Sequence, residues 1–97
     1  MSTVPTLPGI TSKMIDTPRL RTHVLFSGPD NGTPVLFIHG NASSNTYWEE
    51  MMLKLPKGFR GIAPDLRGYG DTEDKLIDAT RGMGDWVDDL FALLDTL

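Results

Sequence analysis

In the stretch VLFIHGNASSNTYW, Val35 to Trp48, an apolar run breaks at His39-Gly40 into a loop of small and polar residues. Glycine there lets the backbone turn sharply with amide N–H groups exposed, and Asn41 or Ala42 would then present one inward. Two donors fixed in advance stabilise an oxyanion, and losing one costs on the order of 3 kcal/mol of transition-state binding. An ordinary strand-to-helix turn, with Ser or Asn as the helix cap, produces the same pattern. A second loop, DLRGYGDTED from Asp65, offers an acid and a cation in Asp65 and Arg67. Its further acids, Asp71, Glu73, Asp74 and Asp78, lack metal-ligand spacing and a histidine partner, so they read as a solvated face. His39 reads as a loop anchor whose imidazole bonds to backbone, and His23 as an exposed strand residue. Glycines 68, 70, 82 and 84 fit neither G-x-G-x-x-G nor a phosphate-binding loop, so no cofactor and no metal is expected.

The elements that must position these loops follow from hydrophobic period. SKMID, Ser12 to Asp16, is a short strand candidate. RLRTHVLFSG alternates, with Leu20, Thr22, Val24 and Phe26 on one face and Arg21 and His23 on the other; TPR at Thr17 to Arg19 is the turn between them. GPDNGTP, Gly28 to Pro34, is dense turn chemistry. VLFIH is apolar throughout, as a strand covered on both faces would be. Asn45 to Leu55 reads as a helix with Tyr47, Met51 and Leu55 in line and Trp48 and Met52 beside them, stopped by Pro56. Phe59 to Asp65 is a second buried strand. The last segment, DWVDDLFALLDTL, is the clearest helix, with a stripe of Val87, Leu90, Phe91, Leu94 and Leu97, with Asp88, Asp89 and Asp95 largely off it, and with Asp85 as N-cap.

This order, antiparallel strands and then a βαβ crossover, predicts an α/β fold with helices on a mostly parallel sheet. Residues 1–11 read as a loose leader and 12–97 as the sheet and its helices. Such a sheet is incomplete as a single chain, because an apolar edge is left where further strands belong. Nine Lys and Arg against 13 Asp and Glu give the 97 residues a net charge of −4, with no electrostatic footprint for nucleic acid or for anionic membranes. No apolar run nears the roughly 20 residues that span a bilayer. The N-terminus lacks the basic and apolar regions of a signal peptide, so a cytoplasmic location is expected, and the Asn-x-Ser/Thr triplets at Asn31 and Asn41 read as chance. Cysteine is absent, which removes thiolate nucleophiles and thiolate metal sites.

From about Leu20 to Leu97 the chain resembles the N-terminal third of an α/β-hydrolase-fold enzyme. VLFIHGNASSNTYW, GIAPDLRGYGDTE and DWVDDLFALLDTL carry the resemblance. It implies that the Asn41 backbone N–H is an oxyanion donor, with His39, Gly40, Ala42 and Trp48 near the substrate. It also implies that Asp65 and Arg67 are structural, the carboxylate capping backbone N–H groups and the guanidinium tying loops together. The family's nucleophile sits in a G-x-S-x-G elbow, which these residues lack: Ser27 precedes Gly28 in a turn, and Ser43 and Ser44 lie in the loop. Nucleophile, acid and histidine would therefore come from a downstream part. The leading expectation is a serine hydrolase acting on a carboxylic ester or lactone. HGNASS is also similar to the loop of haloalkane dehalogenases and related coelenterate luciferases, where the Asn side chain helps hold a halide or product. APDLRGYGDT resembles the turn of epoxide hydrolases. Those hydrolytic relatives imply an aspartate nucleophile, and Ala42 departs from the proline common in many members. A third expectation is a non-catalytic fragment that binds a complementary C-terminal polypeptide; the 97-residue chain alone is expected to be inactive.

Overall fold

The computed structural model describes residues 6–40 and 44–97. Among the described residues four strands form one mixed sheet: β1 (Thr11–Asp16), β2 (Arg21–Ser27), β3 (Thr33–Leu36) and β4 (Phe59–Pro64), in the spatial order β1-β2-β4-β3. β1 and β4 run antiparallel to β2, and β3 runs parallel to β4. A parallel pair needs a crossover, supplied by a short 3-10 turn, Asn45–Trp48, leading into helix α1 (Glu49–Leu53). Helix α2 (Gly84–Thr96) closes the described chain. Among the described residues no helix is long and apolar enough to cross a membrane.

The sheet is covered on both faces. Ile10, Leu25, Met52 and Ala63 form one core layer, with Phe37 and Trp48 packed against it. Val24, Phe26, Ile62 and Leu93 form the other, with Ile15 and Leu36 alongside. Gly61 is required where β4 passes under α1, since a Cβ there would lie 2.4 Å from Ser27 Oγ and 3.1 Å from Met52 Cε. The stretch expected as a loose leader is tied down over its described part: Ile10 is core, and Leu7 N–H donates to Glu49 Oε2 at 3.2 Å.

Several expectations need correction. His23 is wholly buried rather than exposed. The alternation along β2 is as read, but β2 lies between β1 and β4 and both of its faces are covered. Along the first helix Met52 is the buried apolar residue and Glu49 is buried with it, whereas Tyr47 and Met51 are exposed. On α2 the stripe of Val87, Phe91, Leu94 and Leu97 faces outward, and the inner face carries Leu93 with Asp85 and Asp89. Asp85 is not the N-cap; Met83 occupies that position and Asp85 lies in the first turn.

Leu93 is fully buried and Leu76 is 96% exposed, which gives a direct test of the core. In the full-length protein Leu93→Ala should lower the unfolding free energy by about 2–5 kcal/mol, and Leu76→Ala should stay within about 0.5 kcal/mol, both read by denaturant titration.

Candidate active site

The C-terminal ends of β3 and β4, where open α/β sheets bind ligands, are joined through one imidazole. His39 follows β3, and its Nε2 lies 2.9 Å from the Leu66 backbone nitrogen just past β4. An amide N–H can only donate, so Nε2 accepts and carries no proton. On the other side of the ring Nδ1 lies 2.8 Å from the Gly40 carbonyl oxygen, which can only accept, so Nδ1 holds the hydrogen. Both ring nitrogens are thus committed to backbone. His39 is 3% exposed, and Tyr69 packs edge-on against it with ring centroids 5.2 Å apart. The imidazole fixes where the chain leaves β3; it is not poised to move protons.

The second loop is organised by Asp65. Its N–H donates to the His23 carbonyl at 2.8 Å and so extends the β2–β4 ladder by one residue. Its carboxylate Oδ2 accepts from Asp71 N–H at 3.1 Å and from His23 Nδ1 at 2.7 Å. Its carbonyl accepts from Thr72 Oγ1 at 2.6 Å, and that hydroxyl in turn accepts His23 N–H at 2.9 Å. Gly70, at φ +52°, passes so close that a Cβ would lie 2.2 Å from Asp65 Oδ2. Loop 65–73 therefore starts and ends on β2, with Glu73 N–H donating to the Arg21 carbonyl at 2.9 Å.

Arg67 fixes the loop to α2. Its Nε and Nη2 donate to the two oxygens of Asp89 at 2.8 and 2.7 Å, and Nη1 donates to the Leu76 carbonyl at 2.8 Å. Arg19 adds a bond to Asp89 at 2.7 Å. The hydrogen bonds that Arg67 donates to Asp89 raise its pKa further, against the opposing effect of burial. Trp86 Nε1–H donates to the Arg67 carbonyl at 3.2 Å and so holds the indole at the loop.

Together these contacts frame a cavity of about 360 Å³ lined by His39, Gly40, Leu66, Tyr69, Met83 and Trp86. That volume lies within the range of small-molecule sites, which are mostly apolar with a few placed polar groups. Of the residues the sequence put near a substrate, His39 and Gly40 line it. Asn41 and Ala42 lie outside the described residues. Trp48 does not line it; its ring packs 5.3 Å from Phe37 on the core side of the loop. The lining by Tyr69, Met83 and Trp86 was not legible in the sequence, because Trp86 reaches the loop only through the long-range bond to Arg67.

The chain belongs to the α/β-hydrolase fold family, whose model matches residues 33–97. Epoxide hydrolase 1 of Siraitia grosvenorii is 39% identical over 84 residues, spanning 86% of this chain and 26% of its own. A haloalkane dehalogenase of Mycobacterium marinum is 37% identical over 68 residues, 67% of this chain and 23% of its own. The crystal structure of an epoxide hydrolase from Vigna radiata superposes with a TM-score of 0.80 at 34% identity, covering 94% of this chain and 30% of that one. The chain thus spans about a quarter of the length of these curated relatives.

The carboxylate of Asp85 carries a pH prediction. The Asp78 backbone N–H, donating at 2.7 Å, holds it below the usual carboxylate range, helped by Arg81, Arg67 and Arg19 and opposed by burial. A depressed native pKa contributes stability that is complete above the ordinary carboxylate value and is lost as pH falls through the depressed one. Unfolding midpoints of the parent should therefore drop across that acid window, and Asp85→Asn should flatten the drop. Identical acid slopes for both would contradict this reading.

Proposed function

We propose that the chain is the N-terminal segment of a hydrolase acting on epoxides or haloalkanes through an ester intermediate on an aspartate supplied by the rest of the fold. The observation that carries the reading is the immobilised exit of β3: His39 is locked to Leu66 and Gly40, and Gly40 stands at the mouth of the cavity. Tyr69, Met83, Trp86 and Leu66 offer that mouth an apolar wall, which suits substrates without charge. The names of the relatives support the same substrate class. An alkyl-enzyme ester must be hydrolysed through a tetrahedral oxyanion, so a backbone donor at Asn41 serves this chemistry as it would serve an acyl-enzyme. Carboxylic ester or lactone hydrolysis on a serine is the second reading, and it uses the same loop.

The remaining strands are proposed to pair with the free edge of β3. Beside that edge a groove of about 160 Å³ is lined by Leu36, Val87, Leu90, Phe91 and Leu94. Phe91 is 64% exposed, and an unpaired strand next to apolar surface is an association hazard. The 97 residues alone should self-associate and turn over neither epoxide nor ester. A monodisperse, cooperatively unfolding and active 97-residue monomer would contradict this.

The nucleophile is distinguished by one turnover of the full-length protein in heavy-oxygen water. An aspartate ester leaves the label in the enzyme carboxylate; a serine ester leaves it in the released acid, which would favour the second reading. Asn41→Pro removes the backbone donor and should lower kcat by about 10²–10³-fold. Asn41→Ala keeps that donor and should preserve epoxide turnover, reducing only haloalkane turnover if the side chain holds the halide.

A further inference from the structure

Away from the cavity, a serine, a histidine and an aspartate stand in line. Ser12 Oγ on β1 lies 2.7 Å from His23 Nε2, and His23 Nδ1 lies 2.7 Å from Asp65 Oδ2. The register explains the meeting. Met14 is paired with His23, so Ser12, two residues back, is the diagonal neighbour on the same face of the sheet.

The proton positions follow from the partners. A carboxylate accepts, so His23 Nδ1 carries the hydrogen and Nε2 presents a lone pair to the Ser12 hydroxyl. This is the arrangement of a nucleophile with its base and of a base oriented by a third group. His23 is wholly buried and the Asp65 side chain is 2% exposed, whereas Ser12 lies half-buried on an edge strand. The base and its orienting acid are thus shielded, and Ser12 is the member of the three that retains exposed surface.

We propose that Ser12 is a base-activated nucleophile and a covalent modification site for acyl electrophiles, separate from the cavity at His39. With p-nitrophenyl acetate, Ser12 Oγ forms the bond to the acetyl carbon while its proton passes to His23 Nε2. The carbon–oxygen bond to the leaving group breaks, and p-nitrophenolate departs with the electron pair. The imidazolium keeps that proton, paired with the Asp65 carboxylate. Because His23 exposes no surface, water has no open approach to Nε2 once Ser12 is esterified, so the adduct accumulates after a single event.

The test treats the intact protein with p-nitrophenyl acetate and maps acetylation by peptide mass spectrometry. Ser44, whose hydroxyl lies 2.9 Å from Thr46 Oγ1, is the internal reference. Base assistance typically contributes about 10²–10⁴-fold, so Ser12 should be acetylated on the order of 100-fold faster than Ser44. The preference should disappear in guanidinium chloride, and Ser12→Ala should remove that adduct alone. Equal rates at Ser12 and Ser44 in the folded protein, or a preference that survives unfolding, would overturn the proposal. Acetylation downstream of residue 97 would belong to the main nucleophile, and the Ser12-to-Ser44 ratio decides this proposal independently of it.

Discussion

A buried carboxylate needs its full complement of donors, and much of this fold is arranged around one. Asp65 sits at the end of β4 with its side chain 2% exposed. Leaving such a group unsatisfied would cost several kcal/mol. The chain meets the requirement by bending loop 65–73 back over it, which brings in Asp71 N–H, while β2 contributes His23. Once the loop is closed this way, the Leu66 N–H points to His39 and the Arg67 guanidinium points to Asp89. The exit of β3, the loop after β4 and the start of α2 are then one connected assembly.

That assembly explains how the cavity is framed. Its walls are held by backbone-directed bonds from His39 and Trp86 and by the bidentate Arg67–Asp89 pair. Charged groups are directed into the scaffold, and mostly apolar side chains face the opening. Preorganisation of this kind is what oxyanion stabilisation requires, since donors must be in place before charge develops. In the proposed function, the group that creates the charge comes from the part of the fold that this quarter-length match does not span.

How much of this was legible in the sequence depends on how local each signal is. The apolar runs of β3 and β4, the glycine-rich loops and the βαβ order are local, and the strands and sheet class follow from them. The anchoring of His39 was legible for the same reason, because a strand ending in His-Gly places the ring beside its own turn. His23 was misread because period-two alternation reports which residues share a face, not what covers that face. Only the packing of Leu25 into one core layer and of Val24 and Phe26 into the other shows that both faces of β2 are covered. The face of α2 was misread because acids are usually solvated. Asp85 and Asp89 turn inward toward Arg19 and Arg67, partners separated from them by long stretches of chain. Asn41 and Ala42 remain expectations of the sequence, outside the described residues.

Both imidazoles are fixed as Nδ1–H tautomers, His39 between Leu66 and Gly40 and His23 between Asp65 and Ser12. Nitrogen-15 NMR of the histidine rings reads this directly, because protonated and unprotonated ring nitrogens resonate in separate regions. Each histidine should show a protonated Nδ1 and an unprotonated Nε2, with the Leu66 amide protected from exchange. An Nε2–H tautomer at His39, or an unprotected Leu66 amide, would contradict this.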